Sequence, residues 1–186
     1  MQELTTHDKK TMLEFVRGVI LANLNDAPLP PVPKLELLKE PGACFVTLHT
    51  GSGQLRGCIG TIIPHTTLGN DMQSNALNAA FRDPRFPPLM SSNEFADIEI
   101  EISILTPMED IESPEQFIVG EHGILMRLFG RSAVFLPQVA PEQGWDRDTT
   151  LAHLSMKAGF KPGAWKIEDA RFQVFRAIHF SESETN

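Results

Sequence analysis

The stretch Ile98-Glu99-Ile100-Glu101-Ile102-Ser103-Ile104 decides the fold. Four isoleucines alternate with two glutamates and a serine, the period-two pattern of a strand with one face in a core and the other in water. Half-buried strands of this kind belong to antiparallel sheets. Toward the N-terminus, residues 43–50 also alternate, Gly51-Ser52-Gly53 makes a turn, and residues 54–63 return as a hairpin partner until Pro64. Toward the C-terminus, Pro107 closes the central strand and a short helical piece is expected at 114–117. Residues 124–129 and 132–136 then form a second hairpin, and 170–180 a last strand carrying Phe172, Val174, Ile178 and Phe180 on one face.

Three helices separate these strands. Residues 8–25 place Met12, Phe15, Val16, Val19 and Ile20 at helical spacing behind a Thr5 or Thr6 cap, and end at Asp26 and a group of prolines. A second helix starts at Thr66 or Thr67, shows a small-residue face of Leu68, Met72, Ala76, Ala79 and Ala80, and stops at Asp83-Pro84. A third is capped by Asp148 or Thr149 and ended by Gly159. The order α-β-β-α-β-β-β-α-β, with strand pairs joined by short turns, predicts an α+β fold with an antiparallel sheet flanked by helices.

With 186 residues the chain suits one domain, placed at residues 8–180 with tails at 1–7 and 181–186. Its 24 acidic and 16 basic side chains leave a net charge of −8 without any basic run, which argues against nucleic acid as a partner. Two cysteines are too few for a disulfide framework. Neither a signal peptide at the start nor a membrane-length apolar run is evident, so a soluble cytoplasmic protein is expected.

The chemistry concentrates in Gln54-Leu55-Arg56-Gly57-Cys58-Ile59-Gly60-Thr61. In a regular strand Arg56 and Cys58 share a face, and a guanidinium near a thiol favours the thiolate. Gly57 and Gly60 allow a ligand or another backbone segment to come close. A histidine would complete a nucleophile by withdrawing the thiol proton, with His49, His65 and His122 as candidates brought near only by the fold. Asp83 and Arg85 either line a cleft as a charge pair or staple their own loop. Glu99 and Glu101 lie on one strand face, roughly 6.5–7 Å apart, as an acid/base pair or as a solvated face. The plain alternative for Cys58 is a small hydrophobe in a tightly packed strand. No metal site is supported by spacing, and no CxxC, HExxH, GxSxG, P-loop or GxGxxG occurs.

These motifs together resemble the AMMECR family. Its LRGCIG signature is intact from Leu55 to Gly60. Similar stretches follow at Ala79-Ala80-Phe81-Arg82-Asp83-Pro84-Arg85-Phe86, Glu101-Ile102-Ser103-Ile104-Leu105, Glu142-Gln143-Gly144-Trp145-Asp146 and Lys157-Ala158-Gly159. The chain departs at Ser155, where the family often has cysteine two residues before Lys-Ala-Gly. The resemblance implies two unequal subdomains with the signature at a cleft between them. It also implies a likeness to protein A of the AmmeMemoRadiSam system, whose partners are a Memo-type protein and a radical SAM enzyme. Any radical chemistry would reside in the partner, since this chain lacks CxxxCxxC.

Two functions compete on this reading. One is an enzyme with Cys58 as nucleophile, Arg56 and a histidine (His49 or His122) assisting, and Gly57, Gly60, Asp83, Arg85 and Glu101 holding an unidentified small molecule or peptide. The other is a non-catalytic accessory protein using the same site for binding. Reaction and cofactor stay open.

Overall fold

The computed structural model describes residues 4–185. Thr5 caps the first helix, α1 (Thr6–Leu24), in a reciprocal box: its hydroxyl accepts the Asp8 amide, and its own amide donates to the Asp8 carboxylate. The buried Met12, Phe15, Val16, Val19 and Ile20 form the predicted stripe. Asp26, in the left-handed region at φ 53°, ends the turn. After the prolines comes a short helix, α2 (Glu36–Lys39). The hairpin β1 (Cys44–Thr50) and β2 (Leu55–Gly60) is followed by α3 (Leu68–Phe81) with Thr67 as its cap. Then come α4 (Ser92–Ala96) and the central strand β3 (Ile98–Leu105).

The later half contains β4 (Glu109–Ile111), a 3-10 turn at Pro114–Gln116, and the hairpin β5 (Gly123–Leu128) and β6 (Arg131–Phe135). Two helices follow, α5 (Val139–Gln143) and α6 (Arg147–Lys157), and then a 3-10 turn at Ala164–Lys166. The chain ends with β7 (Arg171–Phe175), β8 (Ala177–Ser181) and α7 (Glu182–Thr185).

The strands form two four-stranded sheets, ordered β2-β1-β3-β8 and β4-β7-β5-β6. They belong to two compact units, one reaching Leu105 and resuming at Ile178, the other Thr106–Ala177. In the first unit, Val46, Leu48, Ile100, Ile102 and Ile104 form the inner face of the sheet, in one core with α1 and α3. In the second, Ile124, Met126, Leu128, Phe172 and Val174 share a core with Leu151, Leu154 and Ala158 of α6. The fold is α+β, with two antiparallel sheets flanked by helices.

Three sequence expectations change. The single last strand at 170–180 is two strands in two sheets: Phe172 and Val174 serve the second core, while Ile178 and Phe180 serve the first. Alternation persists through the switch, so periodicity cannot reveal it. The α6 cap is Asp146, whose carboxylate accepts the Thr149 amide at 2.8 Å. Parts of the expected tails are structured: Thr6 and His7 belong to α1, and Glu182 of α7 holds Arg17 in a two-point ion pair at 2.6 Å. Of the tail residues, 1–3 and 186 lie outside the described residues.

Candidate functional site

The signature strand β2 lies at the edge of the first sheet, where the outward peptide groups of a strand have no strand to pair with. Asp83 and Arg85 supply the missing partners for Cys58. The Cys58 amide donates to Asp83 Oδ2 at 2.9 Å, and the Cys58 carbonyl accepts from Arg85 Nη2 at 2.9 Å. Asp83 also accepts from the Arg85 amide, Nε and Nη2. Its side chain is 1% exposed whereas that of Arg85 is 54% exposed. The Arg85 guanidinium and the Cys58 amide hold the Asp83 carboxyl well below the usual range. Of the two readings of this pair, these bonds are those of the staple: it holds its own loop and clamps the peptide of the signature cysteine.

Gly57 and Gly60 are dictated by close approach. A Cβ on Gly57 would overlap the Ala79 carbonyl of α3, and one on Gly60 would overlap the Phe45 ring. Both glycines therefore admit parts of the protein itself.

Across the hairpin, Thr47 stands opposite Cys58 and, on its other side, opposite Glu101. Thr47 Oγ1 donates to Cys58 Sγ at 3.3 Å. This row of thiol, hydroxyl and carboxylate lies on the sheet face away from the isoleucine core. Cys58 is half-buried. Thr47 is the residue that sequence reading missed, because only the register of β1 against β2 puts it beside the sulfur.

Arg56 departs from the expected face. The pairing slips between Leu48 and His49, so that Gly57 faces Leu48, Leu55 faces His49, and Arg56 is the extra residue of a β-bulge. A bulge breaks strict alternation and re-aims its side chain. The guanidinium is committed to Glu94 Oε1, at 2.8 Å from Nη2 and 3.3 Å from Nε, and its buried Nη1 has no partner among the described residues. Glu94 in turn accepts the Met90 amide, so Arg56 orders the loop ahead of α4.

Within the first unit no histidine is hydrogen-bonded to the sulfur among the described residues. His49 stands across from Glu99 in β3, one row along from Thr47. His65 is exposed in the loop after β2. His122 belongs to the second unit, where its Nδ1 accepts the Ile118 amide at 3.3 Å. Among the described residues no three His, Cys, Asp or Glu side chains converge as metal ligands. A concavity of about 480 Å³ in the first unit includes Glu99 in its lining, and another of about 330 Å³ is lined by Leu4, Asp8, Met12, Leu35, Leu37 and their neighbours; neither takes in Cys58 or Glu101.

The second cysteine is differently placed. Cys44 is fully buried, and Asp71 accepts its amide at 2.9 Å. Burial first, and the Asp71 charge second, push the Cys44 thiol well up, which leaves it protonated and inert. Ser155, in the second unit, is also fully buried. Its hydroxyl donates to the Leu151 carbonyl at 2.9 Å and accepts the Trp165 amide at 3.1 Å, so its bonding capacity serves packing.

The profile of the AMMECR1 family matches residues 13–180. This chain belongs to the AMMECR1 family. It is 35% identical to Protein MK0488 of Methanopyrus kandleri, over 98% of this chain and 92% of that protein. Protein MJ0810 of Methanocaldococcus jannaschii is also 35% identical, over 99% and 94% respectively. Among solved structures, the crystal structure of uncharacterized protein PH0010 from Pyrococcus horikoshii superposes with a TM-score of 0.80 at 34% identity. That match covers 94% of this chain and 91% of that one. Among the described residues no helix is long and apolar enough to cross a membrane.

Proposed function

We propose that the row Cys58–Thr47–Glu101 is a thiol-based active site, with Cys58 as nucleophile toward an electrophilic carbon of a small molecule or peptide. The observation that carries this reading is the half-buried Cys58 sulfur, which accepts a hydrogen bond from Thr47 while its peptide is clamped by Asp83 and Arg85. A hydroxyl bonded to the sulfur and a clamped backbone fix where the sulfur stands for attack. Arg56 acts at one remove, through Glu94 and the strand edge.

Strand spacing sets the role of Glu101. Two strand spacings, about 9–10 Å, separate the Glu101 backbone from that of Cys58, which leaves room for a bound molecule between the two side chains. Glu101 is therefore assigned to gripping a donor group on the substrate, and the thiol proton leaves through water. Thr47 lies midway, under the body of a bound molecule.

The test is alkylation of the folded protein with iodoacetamide at fixed pH, with each cysteine followed by peptide mass. Cys58 should react well before Cys44, and Thr47→Val should slow it without unfolding the chain. If Cys58 reacts only after denaturation, the nucleophile reading is lost.

A second reading has its own support. Asp83 and Arg85 direct hydrogen bonds at the Cys58 backbone, and no imidazole of the first unit bonds the sulfur among the described residues. This favours an accessory protein that presents the same face to Memo-type and radical SAM partners. Under that reading Cys58→Ser would retain partner binding in full.

A further inference from the structure

The β5–β6 hairpin turns through Phe129 and Gly130, both in the left-handed region at φ 46° and 77°. Such two-residue turns favour Asn, Asp or Gly at their first position, and a bulky aromatic there is an outlier. Phe129 is also 67% exposed. The side chain is thus held against backbone preference and largely in water. Its ring meets Phe160 edge-on at 6.4 Å between centroids. Beside this pair, Arg131 lies over the Phe160 ring at 5.3 Å and donates to the Gly159 carbonyl, and Met156 is 43% exposed.

The segments that supply Phe129, Arg131, Met156 and Phe160 are cationic in sequence, up to Glu168-Asp169. Residues 126–134 and 153–167 carry Arg127, Arg131, Lys157, Lys161 and Lys166 without one Asp or Glu, in a protein of net charge −8. On the sheet, Arg127 stands directly across from Arg171, a like-charge pair that an isolated sheet disfavours. An exposed aromatic anchor with an arginine beside it has the composition of a binding hot spot.

We propose that this hairpin tip is a docking surface for an acidic peptide segment of a partner protein, with Phe129 as apolar anchor and Arg131 and its neighbouring cations meeting the carboxylates. A strained, largely exposed aromatic is then explained by what its side chain does in the complex. An acidic peptide suits the patch better than nucleic acid, because a single projecting anchor offers no stacking platform for successive bases.

The probe is a fluorescein-labelled synthetic peptide in which glutamates flank one phenylalanine and one leucine, titrated with the full chain by anisotropy. Its lysine-for-glutamate counterpart and a labelled oligouridylate serve as controls. The glutamate peptide should bind and weaken with added salt, and the lysine peptide should not bind. Phe129→Asn should weaken binding by about tenfold or more while leaving Tm unchanged or raised, since Asn suits the left-handed turn. Arg131→Gln should weaken it as well. The proposal is overturned if the glutamate peptide does not bind at about 1 mM. It is equally overturned if Phe129→Asn binds like the wild type, if that variant loses Tm as a packing residue would, or if oligouridylate binds more tightly.

Discussion

Asp83 shows how one buried carboxylate organises the signature from outside it. Its four accepted hydrogen bonds come from Cys58 and Arg85, and they hold the carboxyl below its ordinary value of 3.8. With the folded value depressed, the unfolded chain takes up a proton first as pH falls. The contribution of Asp83 is complete above about pH 4 and shrinks as pH falls through the window beneath it. Asp83→Asn removes the charge from a buried acceptor, at a cost of about 2–3 kcal/mol at neutral pH. Denaturant melts at pH 7 and pH 3 check this: the difference between wild type and variant should be smaller at pH 3. An equal difference at both values would show that Asp83 is not ionised as described. Cys44→Ala belongs to the same scale. It removes a small buried side chain that neither mechanism uses, so it should lower stability modestly, by about 1–2 kcal/mol, and leave the alkylation rate of Cys58 unchanged.

Among the elements, β2 is constrained from both sides. Its edge is covered by Asp83 and Arg85, and its inner face is pressed against α3 at Gly57. The obstacle to a side chain at Gly57 is a backbone carbonyl, which cannot turn aside as a flexible side chain would. Gly57→Ala should therefore force α3 away from the sheet and cost about 3 kcal/mol, at the upper end of overpacking penalties. A thermal melt reads the cost, and a Tm within a degree of wild type would show that the helix yields easily. The elements that sequence pattern reveals are those with several repeats of their period. The isoleucine strand, the LRGCIG hairpin and the helices beginning at Thr6 and Leu68 were all legible in this way. Helices of four or five residues, such as α2, α4 and α5, complete too few turns to show a period. The site was half legible for a related reason. Cys58, Asp83 and Arg85 stand out by residue type, whereas the place of Thr47 beside the sulfur follows from register. The turning of Arg56 toward Glu94 follows from a bulge, which strict alternation cannot anticipate.

At the scale of the whole molecule, the chain leaves the first unit after Leu105, builds the second from Thr106 to Ala177, and returns at Ile178. The outgoing and returning segments run side by side. Thr106 donates its amide to the Arg176 carbonyl at 2.8 Å, and the Arg176 amide donates back to Thr106 Oγ1 at 2.8 Å. The second unit therefore has the form of an insertion whose two ends meet, an arrangement that permits excision because closing the gap needs little chain. The first unit retains a four-stranded sheet, a core from α1, α3, β1 and β3, and the return strand β8 with Glu182 held by Arg17. A chain in which a short Gly-Ser linker joins Leu105 to Ile178 should fold cooperatively. Its Cys58 should still be alkylated ahead of Cys44, because Thr47, Asp83 and Arg85 are all retained. Circular dichroism melting and the same mass-resolved alkylation measure both properties. If the excised chain melts without a transition, the first unit depends on the second for its fold. If it folds but the cysteine order is lost, the sulfur is governed by residues beyond the β1–β2 hairpin and the loop that clamps it.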